Sequence, residues 1–338
     1  MTLDRSAWAF EAWQALSIAC LRPGDDGSLV VRERPGHRKL APVWPVSQVL
    51  AAAADVAELT GDYDVVERLV IGLKPYTAGD GYLPTPGDRR RYFDDNAWIG
   101  LCFAQLHLQT GEARWLRKAR KVFGFVREGQ DSDGGMRWVE GRRARHTCSA
   151  APAAQLALRL HLANGGDTDG VALGFARRTL AWLDRTLRLR GGLYADHVDA
   201  RGHVDPTLWT YNQGSPVGAH LLLHLETGDM ATLEQARAIS AGSLRRFGAD
   251  RTWKHPPVFN AVWFRNLLAL DALEPVEGLA QALDDYLERA WRQGRDDDGL
   301  FTAGGIGSYD GTPAIDAGGL VQLFALRAWP RERLSLIC

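Results

Sequence analysis

Trp98-Ile99-Gly100-Leu101-Cys102-Phe103-Ala104, then Gln109-Thr110-Gly111-Glu112, then Trp115-Leu116-Arg117-Lys118-Ala119-Arg120-Lys121 make one complete unit of the fold. The first part is apolar all round, as a helix buried on every side must be. The last part carries Arg and Lys along one face and apolar residues along the other, which suits an outer layer. Between them, Gly111 can end the first helix in a left-handed cap, and Glu112 suits the positive end of the second. The unit reads as an αα-hairpin with one inner and one outer helix.

The turn phrase recurs. Leu59-Thr60-Gly61-Asp62, Asn164-Gly165-Gly166-Asp167 and Glu226-Thr227-Gly228-Asp229 repeat it, so the turn glycines at 61, 111, 166 and 228 are 50, 55 and 62 residues apart. Inner helices are predicted near 44–59, 97–109, 150–163, 216–226, 258–272 and 314–328. Outer helices are predicted near 63–74, 113–127, 170–188, 231–246 and 277–292, and an opening helix near 5–20 makes the sixth. Six alternating pairs predict an all-α chain closed into an (α/α)6 barrel. Closure buries both faces of every inner helix, which an open stack of hairpins would not do at its ends. No long Pro/Ser-rich linker divides the sequence, so residues 1–338 are expected to form a single domain.

Alternation places every inner-helix N-terminus at one end of the barrel. The connections entering that end are long and Gly-rich: Asp80-Gly81-Tyr82-Leu83, Asp133-Gly134-Gly135-Met136-Arg137-Trp138, Gly191-Gly192-Leu193-Tyr194-Ala195-Asp196 and Asp298-Gly299-Leu300-Phe301. Loops held on a rigid scaffold are where binding residues collect, so a cleft is expected at this mouth.

Composition narrows the function classes. With 40 basic and 41 acidic residues the net charge is -1, and no basic block points to nucleic acid. The N-terminus has no basic leader and no run of about 18 apolar residues occurs, so a cytoplasmic protein without a membrane span is expected. A monomer is expected as well. Cys20, Cys102, Cys148 and Cys338 show no CxxC spacing, and Cys20 and Cys102 fall in apolar stretches, which suits buried thiols. His220 and His224 have a spacing that can bind metal, yet no third ligand is evident. Asp296-Asp297-Asp298-Gly299 lacks the remaining ligand spacing of a calcium loop and reads as a solvated turn. No metal and no cofactor are expected. Twelve tryptophans suit both a large core and stacking on sugar faces.

Two runs stand out at the predicted mouth. Arg91-Tyr92-Phe93-Asp94-Asp95-Asn96-Ala97-Trp98 puts two carboxylates at the head of an inner helix, among aromatic rings. One Asp suffices to cap a helix. A second beside it costs repulsion, and that repulsion can separate two pKa values so that one carboxyl stays ionised while the other holds a proton. The second run, Trp209-Thr210-Tyr211-Asn212-Gln213-Gly214, precedes Ser215-Pro216, which reads as a helix start with Ser at the N-cap and Pro at N1. The run is then a loop at the mouth, either a buried aromatic loop or a sugar-lining one. Trp44, Tyr92, Asn96, Trp98, Asp196, Trp209, Tyr211, Asn212 and Gln213 are the candidate substrate-binding residues, and Asp94 and Asp95 the candidate catalytic pair.

These runs, the Thr-Gly-Asp phrases and Gly134-Gly135-Met136-Arg137-Trp138 resemble the family 76 glycoside hydrolases from about Trp44 to Arg246. The resemblance implies an (α/α)6 barrel acting as an endo-α-1,6-mannanase on α-mannan or a mannose-containing oligosaccharide. It implies a retaining mechanism with Asp94 as nucleophile and Asp95 as general acid/base, and no cofactor. Two alternatives stay open on the residues alone. One is a different (α/α)6 carbohydrate-active enzyme, such as a sugar epimerase or an unsaturated-uronide hydrolase; an epimerase would want histidines as acid and base at the mouth, and this reading places none at matching inner-helix starts. A non-catalytic glycan-binding protein would have no need of two adjacent carboxylates.

Overall fold

A computed structural model describes residues 5–163, 170–301 and 313–337. Among these the chain runs through α1 (Arg5–Cys20), α2 (Val43–Thr60), α3 (Asp64–Ile71), α4 (Phe93–Thr110), α5 (Ala113–Val126) and α6 (Thr147–Leu162). It continues through α7 (Val171–Thr186), α8 (Tyr211–Thr227), α9 (Met230–Phe247), α10 (Pro257–Leu273), α11 (Leu279–Gln293) and α12 (Pro313–Ala328). The even-numbered helices are buried over nearly all their length, whereas the odd-numbered ones bury a single face. Each even-numbered helix packs on the next, and α12 packs on α2, which closes the ring. The architecture is an all-α (α/α)6 barrel. The helix α1 covers α12, so the two ends of the sequence together build the sixth pair. Arg5 of α1 and Arg327 of α12 both pair with Asp284 of α11 there.

The turn glycines do what their phrases require. Gly61, Gly111 and Gly228 end α2, α4 and α8 with φ of 74°, 72° and 69°, and each N–H bonds the carbonyl four residues back. The phrase around Gly166 lies outside the described residues.

Three inner helices begin earlier than the sequence suggests. The helix α4 starts at Phe93 rather than near 97, α6 at Thr147 rather than near 150, and α8 at Tyr211 rather than near 216. The reading of Ser215 as N-cap and Pro216 as N1 is therefore corrected. Pro216 sits inside α8, as Pro152 sits inside α6, and Ser215 Oγ donates to the Tyr211 carbonyl instead of capping. Both prolines are the sixth residue of their helix, so each leaves one carbonyl of the first turns without its usual donor.

The short strands all lie in connections to inner-helix starts. β1 (Leu21–Pro23) pairs with β2 (Leu29–Val31), and β3 (Thr77–Ala78) with β4 (Gly81–Tyr82). β5 (Arg145–His146), β6 (His197–Val198) and β7 (Val204–Asp205) form an antiparallel three-stranded sheet.

The barrel axis is polar where the helices meet. Arg265 of α10 pairs with Asp55 of α2 and donates to Gln105 of α4 and Gln322 of α12, while Gln322 donates to the Gln48 carbonyl of α2. Beside them Gln155 of α6 donates to Asn266 of α10 at 2.6 Å, next to Gly218 of α8. A Cβ on Gly218 would stand 2.0 Å from Asn266 Oδ1 and 2.1 Å from Gln155 Nε2, so any larger residue must push both amides aside. Gly218→Ala should break that amide pair and lower the urea midpoint by an amount equivalent to about 1–3 kcal/mol. An unchanged midpoint would show that α8 can retreat at no cost.

Candidate active site

A cleft of about 970 Å³ opens at the end of the barrel where the inner helices begin. Every inner helix gives it a first-turn side chain: Trp44, Asp94, Cys148, Tyr211, Phe259 and Ile315. Trp98 forms part of the floor and also borders a void of about 20 Å³ further down the axis, large enough for a water at most.

Asp94 and Asp95 stand in the first turn of α4 and open toward the cleft. Their surroundings differ. Asp94 Oδ2 accepts from Trp138 Nε1 at 2.8 Å and from Cys148 Sγ at 3.4 Å, and its Oδ1 accepts the Asp95 N–H at 3.0 Å. Burial raises its pKa to about 6, against the pull of these donors. Among the described residues, no donor reaches the Asp95 carboxyl. Burial and the Asp94 charge both raise it, well above the usual carboxylate range. The hydrogen bonds thus favour the charge on Asp94, and their absence favours the proton on Asp95. Neither caps α4 through its N-cap position, which is Tyr92.

One wall is a column of rings. Tyr92 meets Trp138 edge-on at 5.0 Å, Trp138 stacks on His146 at 4.9 Å, and His146 stacks on His197 at 4.5 Å. His197 Nδ1 lies 2.9 Å from Asp196 Oδ2, and Asn212 Nδ2 donates to Asp196 Oδ1 at 2.9 Å. The opposite wall is Trp44, Trp209 and Tyr211 gathered around Phe259, with Tyr211 stacked on it at 4.0 Å. Such walls offer ring faces to the C–H faces of a sugar, with Asp196 as an acceptor for hydroxyls.

The ligand atoms of His146, Asp196 and His197 lie within 4.8 Å of one another, the one cluster among the described residues that could hold a metal ion. The two imidazole planes are 7° from parallel and stacked face to face. A cation in the plane of one ring then lies off the plane of the other, so this arrangement serves as wall rather than chelate. Burial and the neighbouring His197 push His146 down to about 3, which keeps it neutral. His220 and His224 do not form a pair. His220 Nε2 lies 3.5 Å from Asp184, and His224 Nδ1 lies 3.0 Å from the Asp229 carbonyl.

Of the sequence candidates, Trp44, Tyr92, Asp94, Asp95, Trp98, Asp196, Trp209 and Tyr211 border the cleft together. Asn96, Asn212 and Gln213 do not, and their assignment to substrate contact is corrected. Asn96 is fully buried and clamps the Tyr82 backbone through both its N–H and carbonyl. Gln213 clamps the Tyr194 backbone in the same way. Asn212 acts one step back, orienting Asp196. A first-turn amide near an aromatic run looks like a ligand in sequence, but unpaired backbone groups nearby claim it first.

Sequence reasoning missed Trp138, His146, Cys148 and Phe259 as cleft residues. It also placed no histidine at an inner-helix start, whereas His146 is the N-cap residue of α6. The misplaced start of α6 hid both His146 and Cys148.

The sequence pattern of glycosyl hydrolase family 76 matches residues 30–262. This chain belongs to glycosyl hydrolase family 76. Among solved structures, the family 76 enzyme is similar to a mannosidase of the same family from Bacteroides thetaiotaomicron VPI-5482. The two are 19% identical, with a TM-score of 0.83 over 95% of this chain and 97% of that one. A family 76 glycoside hydrolase from a bovine Bacteroides thetaiotaomicron strain gives 21% and 0.85 over 97% and 78%. An inactive variant of the α-1,6-mannanase of Salegentibacter sp. HEL1_6, in complex with α-1,6-mannotetrose, gives 20% and 0.77 over 96% and 99%. No curated protein matches the chain.

In this glycosidase the Cys148 contact makes a specific prediction. The acid limb of kcat/KM should follow ionisation of Asp94, with activity rising as pH climbs through about 6. Activity should fall again where Asp95 loses its proton. Cys148→Ala removes a donor to the carboxylate, so the acid limb should move up by about half a unit to one unit. Cys148→Ser, which keeps a donor, should restore it. An acid limb unmoved in the alanine variant would remove Cys148 from this role.

Proposed function

We propose that this glycosidase cuts α-1,6-mannosidic linkages with retention of configuration. The observation that carries the reading is the unequal pair: Asp94 accepts three hydrogen bonds, and Asp95 beside it accepts none among the described residues. Asp94 attacks the anomeric carbon as Asp95 gives its proton to the leaving oxygen. Asp95, now a carboxylate, takes a proton from water as that water attacks the glycosyl-enzyme and frees Asp94. Trp138 and Cys148 keep Asp94 oriented through the cycle, and the two aromatic walls hold the sugars on either side. The resemblance to the Salegentibacter α-1,6-mannanase supports the linkage, since its inactive variant has two consecutive aspartates replaced and holds an α-1,6-linked mannose tetramer.

The test is product analysis by mass spectrometry after incubation with linear α-1,6-mannan oligosaccharides, with the first-formed anomer read by NMR. Shorter oligomers released initially as the α-anomer support the proposal. Release of the β-anomer would overturn retention, and intact substrate would overturn the linkage.

A further inference from the structure

The rim of the cleft is unusually basic on one side. Three connections lead to the starts of α2, α4 and α6. Within them, residues 32–39, 88–91 and 137–145 hold eleven arginines and lysines and three acids, in a chain of net charge -1; Arg137 and Arg145 pair with Asp131 and Asp133 just before the last stretch. The three stretches form one continuous strip. The Val43 N–H donates to the Pro84 carbonyl, the Glu140 N–H to the Arg91 carbonyl, and Tyr92 bridges Val139.

Within the strip, Arg89 and Arg90 border the cleft and are exposed. Arg91 is already committed to Glu140 through three hydrogen bonds. Among the described residues, no carboxylate pairs with Arg89 or Arg90, nor with Arg142 and Arg143 on the adjoining hairpin. Elsewhere many of the arginines are paired, as at Arg114, Arg237, Arg289, Arg327 and Arg331. The neighbouring acid, Asp88, is turned to Thr85, accepting its N–H and its hydroxyl. Gathering unpaired like charges costs repulsion, which a bound anion relieves. Two adjacent guanidinium groups offer the forked donors that suit phosphate oxygens.

We propose that the glycan taken by this cleft carries a phosphate group next to its mannose backbone, and that Arg89 and Arg90 bind it. The inference rests on the glycan-cutting reading above, and its test separates the two. Binding is measured by calorimetry with the Asp94→Asn variant, which holds substrate without turnover. The probes are α-1,6-mannotetraose and two phosphate monoesters of it, one at the reducing-end O1 and one at the non-reducing-end O6. Wild-type turnover of the same three compounds is followed in parallel.

At least one phosphorylated tetramer should bind about tenfold or more tightly than the neutral one, and the ratio should shrink as salt is raised. Adding Arg89→Gln and Arg90→Gln should bring the ratio close to one. A ratio near one before those substitutions, or a ratio they leave intact, overturns the anion site. If no compound is cut yet the Arg-dependent ratio appears, the linkage reading falls and the anion site stands. A final arm uses vesicles of phosphatidylglycerol and phosphatidylcholine without glycan. Tight vesicle binding with no preference among the soluble tetramers would assign the strip to a membrane surface and overturn the phosphoglycan site.

Discussion

Asp94→Asn should lower kcat on α-1,6-mannan oligosaccharides by about 10⁴-fold or more, with little change in substrate affinity. The proposed nucleophile forms the covalent bond, and of the other carboxylates that line the cleft Asp196 is held by Asn212 and His197 and Asp88 by Thr85. Asp95→Asn should be milder, about 10²–10⁴-fold, because it removes proton transfer alone. The two variants should also differ in kind. An activated aryl α-mannobioside needs no proton on its leaving group, so Asp95→Asn should form the glycosyl-enzyme from it at close to the wild-type rate. Added azide should then speed the second step, giving a mannobiosyl azide. Asp94→Asn should gain from neither. Equal losses on activated and natural substrates, for both variants, would show that the pair does not divide its labour in this way.

The second large effect lies far below the cleft. Arg265→Ala should destabilise the fold by about 3–5 kcal/mol near neutral pH, measured as loss of unfolding free energy in urea. The reason is the group left behind. Asp55 is fully buried, and the guanidinium supplies its counter-charge while Gln105 donates to its other oxygen. Burial already pushes Asp55 upward, with Arg265 as the main opposing influence. Without Arg265 the carboxyl must take a proton to stay inside. A folded pKa raised above the unfolded value of about 4 gives stability that is present at low pH and lost as pH rises. The deficit of the variant should therefore shrink toward pH 4 and widen toward pH 8. Arg265→Ala combined with Asp55→Leu should recover much of the loss. A pH-independent deficit would locate the damage in packing rather than in the stranded charge.

The ring of helices was legible because its signals are local. A Gly phrase, an apolar stretch before it and an amphipathic stretch after it lie within one hairpin, and the pattern repeats. The Asp pair was legible because adjacency in sequence is adjacency in space. What surrounds the pair was not. Trp138 is 44 residues and Cys148 54 residues from Asp94, and only the closing of the ring brings their donors to its oxygen. Phe259, which gathers Trp44, Trp209 and Tyr211, comes from a fifth inner helix with no motif of its own. Pro216 misled about where α8 begins, since proline at a first turn is the commoner pattern.

The polar plug of Asp55, Gln105, Arg265 and Gln322, with Trp98 above it, has a consequence for how a polymer is handled. The barrel is blind. A chain cannot be threaded through it, as a rope through a ring, and both ends of any long glycan must leave by the side they entered. A glycan that reaches the Asp pair must therefore dip into the mouth and come back out of it, as a line drawn over a bowl and not through a pipe.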